Sequence, residues 1–331
     1  MVHGTTRNWA DRLRWTAPLL LALTLLSACG GARPTEGAAS SEQSPGSVGT
    51  GKLRVVATWS ILGDLLRNVG GDRIQLTTLV PAGADAHTFE PSPADGVALV
   101  EASIVFENGL GFEPWLDDML AASGSRARRV VVTEGIDVVH LEAGEHSDHA
   151  ADSAEADPHV WHDVGNALHI VERIRDALVQ ADSANQEVYE NNAARYLQQL
   201  RELDSFVVAE VATLPPERRK LVTSHDTFGY FAGRYGFTVV DTALGISTEE
   251  SEPSAAQMAA LVEEIRAAGV PAIFAENVSN TRIMEQLAEA AGVRLAPELY
   301  TDALGEGGSP AATYVDMIRH NVSTIVTALR T

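Results

Sequence analysis

The sequence predicts an α/β protein of two lobes, each with a mainly parallel sheet, joined by one long connecting helix. Strand-like apolar runs alternate with amphipathic helices in both halves of the chain, which is typical of parallel βαβ units. Between these halves, apolar residues keep a helical spacing over about thirty residues. With 331 residues, 45% of them hydrophobic, the chain is long enough for two cores of ordinary size.

Composition limits the possible partners. The formal net charge is −21. Because nucleic acids are bound by basic surface, this balance argues against a nucleic-acid partner. The chain has one cysteine, so no disulfide forms within it and the fold depends on its apolar cores.

The N-terminus has the features of a targeting segment. Three arginines precede an apolar run at 17–26 that is too short to span a bilayer as a mature helix. The run ends in Leu26-Ser27-Ala28-Cys29, which resembles the bacterial lipobox. We therefore expect a signal peptide over 1–28.

Cys29 is then expected to be lipidated and to anchor the protein to the outside of a bacterial membrane. The alternative is an ordinary secretory signal with a stray cysteine. Residues 29–51 continue as a flexible Gly-, Ser-, Ala- and Pro-rich tether.

The N-terminal lobe is predicted over 52–182. Its elements alternate in the order strand 52–58, helix 61–69, strand 74–80, helix 93–101, strand 103–108, helix 114–122, strand 129–134 and, after an interruption, helix 164–181.

The interruption at 140–156 has no apolar period but is rich in histidine and acidic residues. We expect a disordered loop in which His140, His146 and His149 bind divalent metal weakly.

The long helix is predicted over 183–214, where Pro215 and Pro216 end it. Thirty residues make a rod of roughly 45 Å. A helix of that length with one continuous apolar stripe can contact both lobes, so we interpret it as their connection.

The C-terminal lobe, predicted over 215–331, repeats the alternation. Its elements are strand 220–225, helix 227–235, strand 237–243, helix 255–268, strand 271–277, helix 281–291, strand 293–302 and helix 311–329.

Four potential metal ligands lie at strand ends or in the loops beyond them. Open α/β sheets bind ligands in the crevice at those ends. Three imidazoles and one carboxylate suit four-coordinate Zn²⁺. We therefore predict a metal site in the cleft between the lobes, with two ligands from each: His87, His159, His225 and Asp302.

Other polar residues compete for roles at this site. His162, three residues after His159, and His169 are rival ligands, but His169 lies on an amphipathic helix and is expected to be structural. His320 on the last helix and His3 in the signal peptide are not candidates. Glu276, at a strand end, is expected to orient a histidine. In a secreted zinc hydrolase it would serve as general base, but such an enzyme needs an open coordination position and the chain has no HExxH-type helix.

Taken together, these segments resemble the metal-binding solute receptors of zinc/manganese ABC importers over about 52–331. The resemblance rests on VVATWSILGDLLRNVGGD, VPAGADAHTFEPSPAD, DPHVWHD, SHDTFGYFAGRYG, ISTEESEPS and YTDALG, in that order. It implies two lobes, one connecting helix and a metal in the cleft, with ligand positions that match His87, His159, His225 and Asp302.

The resemblance also implies a function. It predicts a monomeric receptor, not an enzyme, that captures Zn²⁺ outside the cytoplasm and delivers it to an ABC permease. Manganese-selective relatives typically have glutamate at the third ligand position, where this chain has His225, and zinc relatives often have a His/acidic loop before the DPH motif. Some zinc relatives use only the histidines and leave the fourth position, here Asp302, to water or a carboxylate. A manganese receptor and a surface adhesin are the alternatives.

Overall fold

The computed structural model describes residues 51–141, 155–245 and 253–330, which belong to one compact unit. The predicted signal peptide, Cys29, the tether, His146 and His149 lie outside the described residues. No helix in the described ranges is long and apolar enough to cross a membrane.

The first lobe contains a four-stranded parallel sheet with strand order β2-β1-β3-β4. Its elements are β1 Leu53–Trp59, α1 Ser60–Gly70, β2 Ile74–Val80, α2 Pro93–Glu101, β3 Ile104–Glu107, α3 Leu116–Ser123 and β4 Arg128–Val131. The two central strands are the most apolar, and their side chains are buried against helices on both faces.

A short antiparallel pair, β5 His140–Leu141 and β6 Glu155–Ala156, closes the base of the segment that was expected to be a disordered loop. The rest of that segment lies outside the described residues. The DPH motif begins immediately after β6, so the position of this strand pair determines the position of the start of the motif.

Two long helices follow, α4 Val164–Ala181 and α5 Gln186–Val211. The carboxylate of Asp163 caps α4 by accepting the N–H of Gly165 at 2.6 Å. α5 has 26 residues, or about 39 Å, and is shorter than predicted because its first and last turns are replaced by short 3-10 and turn segments.

The second lobe has two parallel strand pairs, β7-β8 and β9-β10. Its elements are β7 Lys220–Thr223, α6 Gly229–Tyr235, β8 Thr238–Thr242, α7 Ala255–Ala268, β9 Ala272–Glu276, α8 Thr281–Ala291, β10 Arg294–Leu299 and α9 Tyr314–Arg330. β7 lies beside β9, so the two pairs form one side of the cleft.

α5 packs against elements of both lobes. One part of its apolar stripe packs against α1 and α4, and another part packs against α6 and α9. The buried residues of this stripe belong to the same core cluster as the sheet of the first lobe. The lobes therefore share packed apolar surface in addition to a covalent connection.

Candidate metal centre

His87 lies in the loop between β2 and α2. The carboxylate of Asp85 accepts its backbone N–H at 2.8 Å, and the indole N–H of Trp115 donates to the carbonyl of Ala86 at 2.8 Å. The ring packs edge-on against Phe112, with centroids 4.8 Å apart. Although His87 lies in a loop, hydrogen bonds hold the backbone around it and the ring of Phe112 packs against its side chain.

His159 follows Pro158 at the start of a short 3-10 turn before α4. The Oδ1 atom of Asp157 accepts both the backbone N–H of His159, at 2.9 Å, and its ring Nδ1–H, at 2.8 Å. The hydroxyl of Tyr230, from the other lobe, donates to the carbonyl of Asp157 at 3.0 Å. Because Nδ1 is occupied, Nε2 is the ring atom available to a ligand.

His225 lies in the turn two residues beyond β7, although the sequence placed it at the end of that strand. The Oε1 atom of Glu276 accepts the backbone N–H groups of Ser224 and His225 at 2.7 and 3.1 Å. Its Oε2 atom lies against Nδ1 of His225 and accepts the hydroxyl of Thr301 at 3.1 Å. Glu276 thus contacts both strand ends that contribute the second lobe's ligands.

Asp302 follows β10 and is positioned through its neighbour Thr301. The side chain of Asn277 accepts the N–H of Thr301 at 3.0 Å, and the indole N–H of Trp161 donates to the Thr301 carbonyl at 2.9 Å. Trp161 comes from the first lobe, so the segment that carries Asp302 is held from both sides of the cleft.

The structure brings the four predicted residues into one cluster. One potential ligand atom from each lies within 4.8 Å of the other three, and all four side chains are buried. The Nε2 atom of His87 lies 3.4 Å from Nε2 of His159, and Asp302 oxygens lie 3.5, 3.8 and 3.1 Å from Nε2 of His87, His159 and His225. At metal–ligand distances of about 2.0–2.2 Å, a tetrahedron has edges of about 3.3–3.6 Å.

Hydrogen bonding also indicates a cation at the centre. In the described part of the molecule, Nε2 of His225 and Oδ2 of Asp302 are buried and, although they lie 3.1 Å apart as an ion pair, neither has a hydrogen bond of good geometry. Buried polar groups are normally paired, and unpaired ones that converge on a point indicate an ion or ligand. The donor set, three imidazoles and a carboxylate, fits a divalent metal.

The charges at the site are strongly coupled. Burial alone lowers the pKa of His225, but the carboxylates of Glu276 and Asp302 outweigh it and raise that pKa well above its ordinary range. Burial alone raises the pKa of Asp302, but the imidazoles of His225 and His159 hold it well below its ordinary range. Without metal, a proton on His225 therefore partly compensates the buried negative charge.

The other histidines of the described ranges lie outside the cluster. His162 is buried against Phe228, with ring centroids 4.7 Å apart. Burial, and to a smaller extent the nearby His159, lowers the pKa of His162 to about 3. The rings of His169 and His320 hydrogen-bond to backbone carbonyls at 2.8 and 3.1 Å. His140 is exposed in β5.

Two contributors to the site were not identified from the sequence. Asp157 orients His159, and the spacing Asp-x-His is a signal that was available. Phe112 backs the rings of His87 and His159, with centroids at 4.8 and 6.2 Å, and nothing in its local sequence distinguishes it from a core residue.

Two α/β lobes around a buried three-histidine, one-aspartate cluster define a metal-binding solute receptor. The family model described as zinc-uptake complex component A, periplasmic, matches residues 55–328. The chain belongs to this family, whose members are the metal-binding components of ABC importers and are not enzymes.

Named relatives agree with this class. The chain is 40% identical to the manganese-binding lipoprotein MntA of Halalkalibacterium halodurans, over 84% of this chain and 88% of the relative. It is 32% identical to the manganese ABC transporter substrate-binding lipoprotein PsaA of Streptococcus pneumoniae, over 84% and 89%. Its fold matches the periplasmic zinc-binding protein TroA of Treponema pallidum with a TM-score of 0.77 and 33% identity, over 84% of this chain and 99% of that one.

Proposed function

We propose that the protein captures Zn²⁺ outside the cytoplasm, holds it between its lobes and delivers it to an ABC permease. The observation that carries this proposal is the convergence of one ligand atom each from His87, His159, His225 and Asp302, all within 4.8 Å of one another, in a buried site. The ion is the cargo of the protein, and each lobe supplies two of its ligands.

The donor set favours zinc over manganese. Affinity of a given nitrogen and oxygen site generally rises from manganese towards copper and remains higher at zinc than at manganese. Three imidazoles add to that preference, because Mn²⁺ is better served by oxygen ligands and a higher coordination number. Zn²⁺ also has no ligand-field preference that a tetrahedral site would oppose.

Manganese is the second candidate. It is supported by the names of two relatives, one at 40% and one at 32% identity, that are described as manganese proteins. Asp302 supplies two oxygens, so a bidentate carboxylate would raise the coordination number to five. The names of these two relatives thus favour manganese, whereas the chemistry of the site, the description of the family model and the name of the Treponema pallidum relative favour zinc.

The two candidates are separated by a competition titration of Zn²⁺ and Mn²⁺ on metal-free protein. We expect zinc to bind at least tenfold more tightly, with one ion per chain. His225→Ala should reduce zinc affinity more than Asp302→Ala, because water replaces a carboxylate oxygen more readily than an imidazole. His169→Ala, outside the cluster, is the matched control. Manganese binding as tight as zinc binding would overturn the zinc assignment and leave a manganese receptor.

We also propose that Cys29 is lipidated and anchors the mature chain, as a monomer, to the outer face of a membrane. The support is the Leu26–Cys29 lipobox and the lipoprotein names of the relatives. We expect Cys29→Ala to leave export intact but release the protein from the membrane fraction. The assignment of Cys29 as a lipid anchor is wrong if the variant remains in the membrane fraction after a salt wash.

A further inference from the structure

One buried carboxylate behind the metal cluster has no place in the function described so far. Glu113 lies after the turn that connects β3 to α3, and 8% of it is exposed. Three neutral donors meet its carboxylate: the backbone N–H of Asn108 at 2.7 Å, that of Gly109 at 3.1 Å and the hydroxyl of Thr58 at 2.7 Å. Burying a carboxylate among neutral groups is costly, and burial raises the pKa of Glu113 to about 7.

The turn that Glu113 holds has an unusual backbone. Gly109, Leu110 and Gly111 have φ values of 83°, 57° and 81°, and Leu110 is the one non-glycine residue with positive φ in the described ranges. A β-carbon at position 109 would come within 2.6 Å of Val131, so glycine is required there. Such a backbone persists only where surrounding contacts enforce it, and the carboxylate of Glu113 supplies two of them.

The turn reaches the metal cluster by two routes. The side-chain N–H of Asn108 donates at 3.0 Å to the carbonyl of Pro158, the residue before His159. The turn also places Phe112 edge-on to His87, with the ring held between Trp59 and Trp161 at centroid distances of 4.8 and 4.9 Å. Both first-lobe ligands thus depend on the conformation of residues 108–113.

We propose that Glu113 is a positioning residue for the metal centre, acting through Asn108 on His159 and through Phe112 on His87. This inference rests on the proposed metal-binding function. Ligands must be held within about 0.5 Å of their productive positions, and here both first-lobe ligands come from loops. Glu113 holds the turn that contacts both loops. It connects this turn to Thr58 on β1 and to the end of β3, the two central strands of the sheet.

The test compares Glu113→Gln with Glu107→Gln. Glutamine keeps the shape of Glu113 but turns an N–H towards one of the three donors. Glu107 is also buried, six residues earlier, but its carboxylate pairs with Arg129 at 2.7 and 2.8 Å and makes no contact with the cluster among the described residues. Both variants should lose stability, so thermal unfolding of each gives the baseline for comparison.

Zinc affinity and the visible spectrum of the Co²⁺-loaded protein are then measured for both variants. For Glu113→Gln we expect zinc affinity to fall about 10- to 100-fold, the range for outer-shell partners of metal ligands, with an altered Co²⁺ spectrum. Glu107→Gln should keep wild-type affinity and spectrum. Equal affinities and spectra in the two variants would overturn the positioning role.

A second variant covers the case in which Glu113→Gln does not fold. Asn108→Ala keeps the backbone N–H that Glu113 accepts and removes the side-chain hydrogen bonds to the carbonyls of Pro158, at 3.0 Å, and of Gly109, at 3.1 Å, within the same turn. Weaker zinc binding with an altered Co²⁺ spectrum supports the proposal, and wild-type values overturn it. If wild-type protein itself binds no metal, the proposed function fails; if wild-type binds and these variants bind equally well, only the positioning role fails.

Discussion

Two of the three imidazoles are oriented by carboxylates on the side of the ring that faces away from the cluster. Asp157 accepts Nδ1–H of His159 at 2.8 Å, and Glu276 lies against Nδ1 of His225. Such partners fix the ring orientation and make the remaining nitrogen a stronger ligand. They also add negative charge near the cluster. Together with the carboxylate of Asp302, this charge favours binding of a divalent cation.

The pKa values predict how metal binding depends on pH. A metal must displace the proton that the carboxylates of Glu276 and Asp302 hold on His225. Because the pKa of His225 is raised, affinity should keep increasing with pH through neutrality, by up to tenfold per unit for one displaced proton. An ordinary histidine would be deprotonated above about pH 6.5, and the dependence would end there.

Zinc affinity measured between about pH 5 and pH 8 tests this expectation. Glu276→Gln removes one of the two carboxylates, so its profile should level off at a lower pH than that of the wild type. Glu134→Gln, whose carboxylate pairs with Arg173 away from the cluster, is the control. The raised pKa of His225 would be contradicted if wild-type zinc affinity did not change above pH 6.5. It would also be contradicted if Glu276→Gln showed the same dependence of affinity on pH as the wild type.

The four clustered residues could be predicted from the sequence, and most of the residues that hold them in place could not. His87, His159, His225 and Asp302 each stand at or beyond a strand end in a segment with a distinctive local pattern. Asp157 and Glu276 lie close to these patterns. Phe112 and Glu113 act across tertiary contacts with His87 and with the segment before His159, and a single sequence does not display such contacts.

At the scale of elements, the order and type of the predicted helices and strands agree with the structure, and their ends differ. The strand predicted over 220–225 ends at Thr223, because the backbone N–H groups of Ser224 and His225 turn to Glu276 instead of to a neighbouring strand. A side chain that is distant in sequence thus decides where the strand ends. The two clustered residues of the second lobe follow strand ends, so prediction from local pattern is weakest where this lobe meets the cluster.

The last helix shows the same effect. It was predicted to begin at 311 and begins at Tyr314, whose backbone N–H donates to the carboxylate of Asp64 on α1 at 3.0 Å. By contrast, α4, α7 and α8 have the predicted bounds, and each has a local polar cap: Asp163, Ser254 and Asn280. The last helix has a local cap as well, because the hydroxyl of Thr313 accepts the N–H of Asp316 at 3.2 Å, so its start combines a local and a tertiary contact and was predicted three residues too early.

At the scale of the whole molecule, the lobes are joined by more than a hinge. α5 packs against helices of both lobes, and hydrogen bonds cross between them near the cluster. The N–H of Gly83 donates to the carbonyl of Leu304 at 2.9 Å, and the indole of Trp161 donates to Thr301. At the other end of the interface, Arg234 on α6 contacts Asp163, the N-cap of α4, and Asp204 on α5.

These contacts predict small movement on metal binding. A hinge needs a few residues that absorb large backbone rotations, whereas bending α5 would break helical hydrogen bonds and separate packed apolar surface. We therefore expect solution scattering of residues 52–331 to give a radius of gyration of about 19 Å both with and without Zn²⁺. The double variant His225→Ala/Asp302→Ala is the control for effects of zinc outside the site. A clear compaction that zinc produces in the wild type and not in this variant would show that the lobes close as rigid bodies, and the account of α5 as a stiff connection would be wrong.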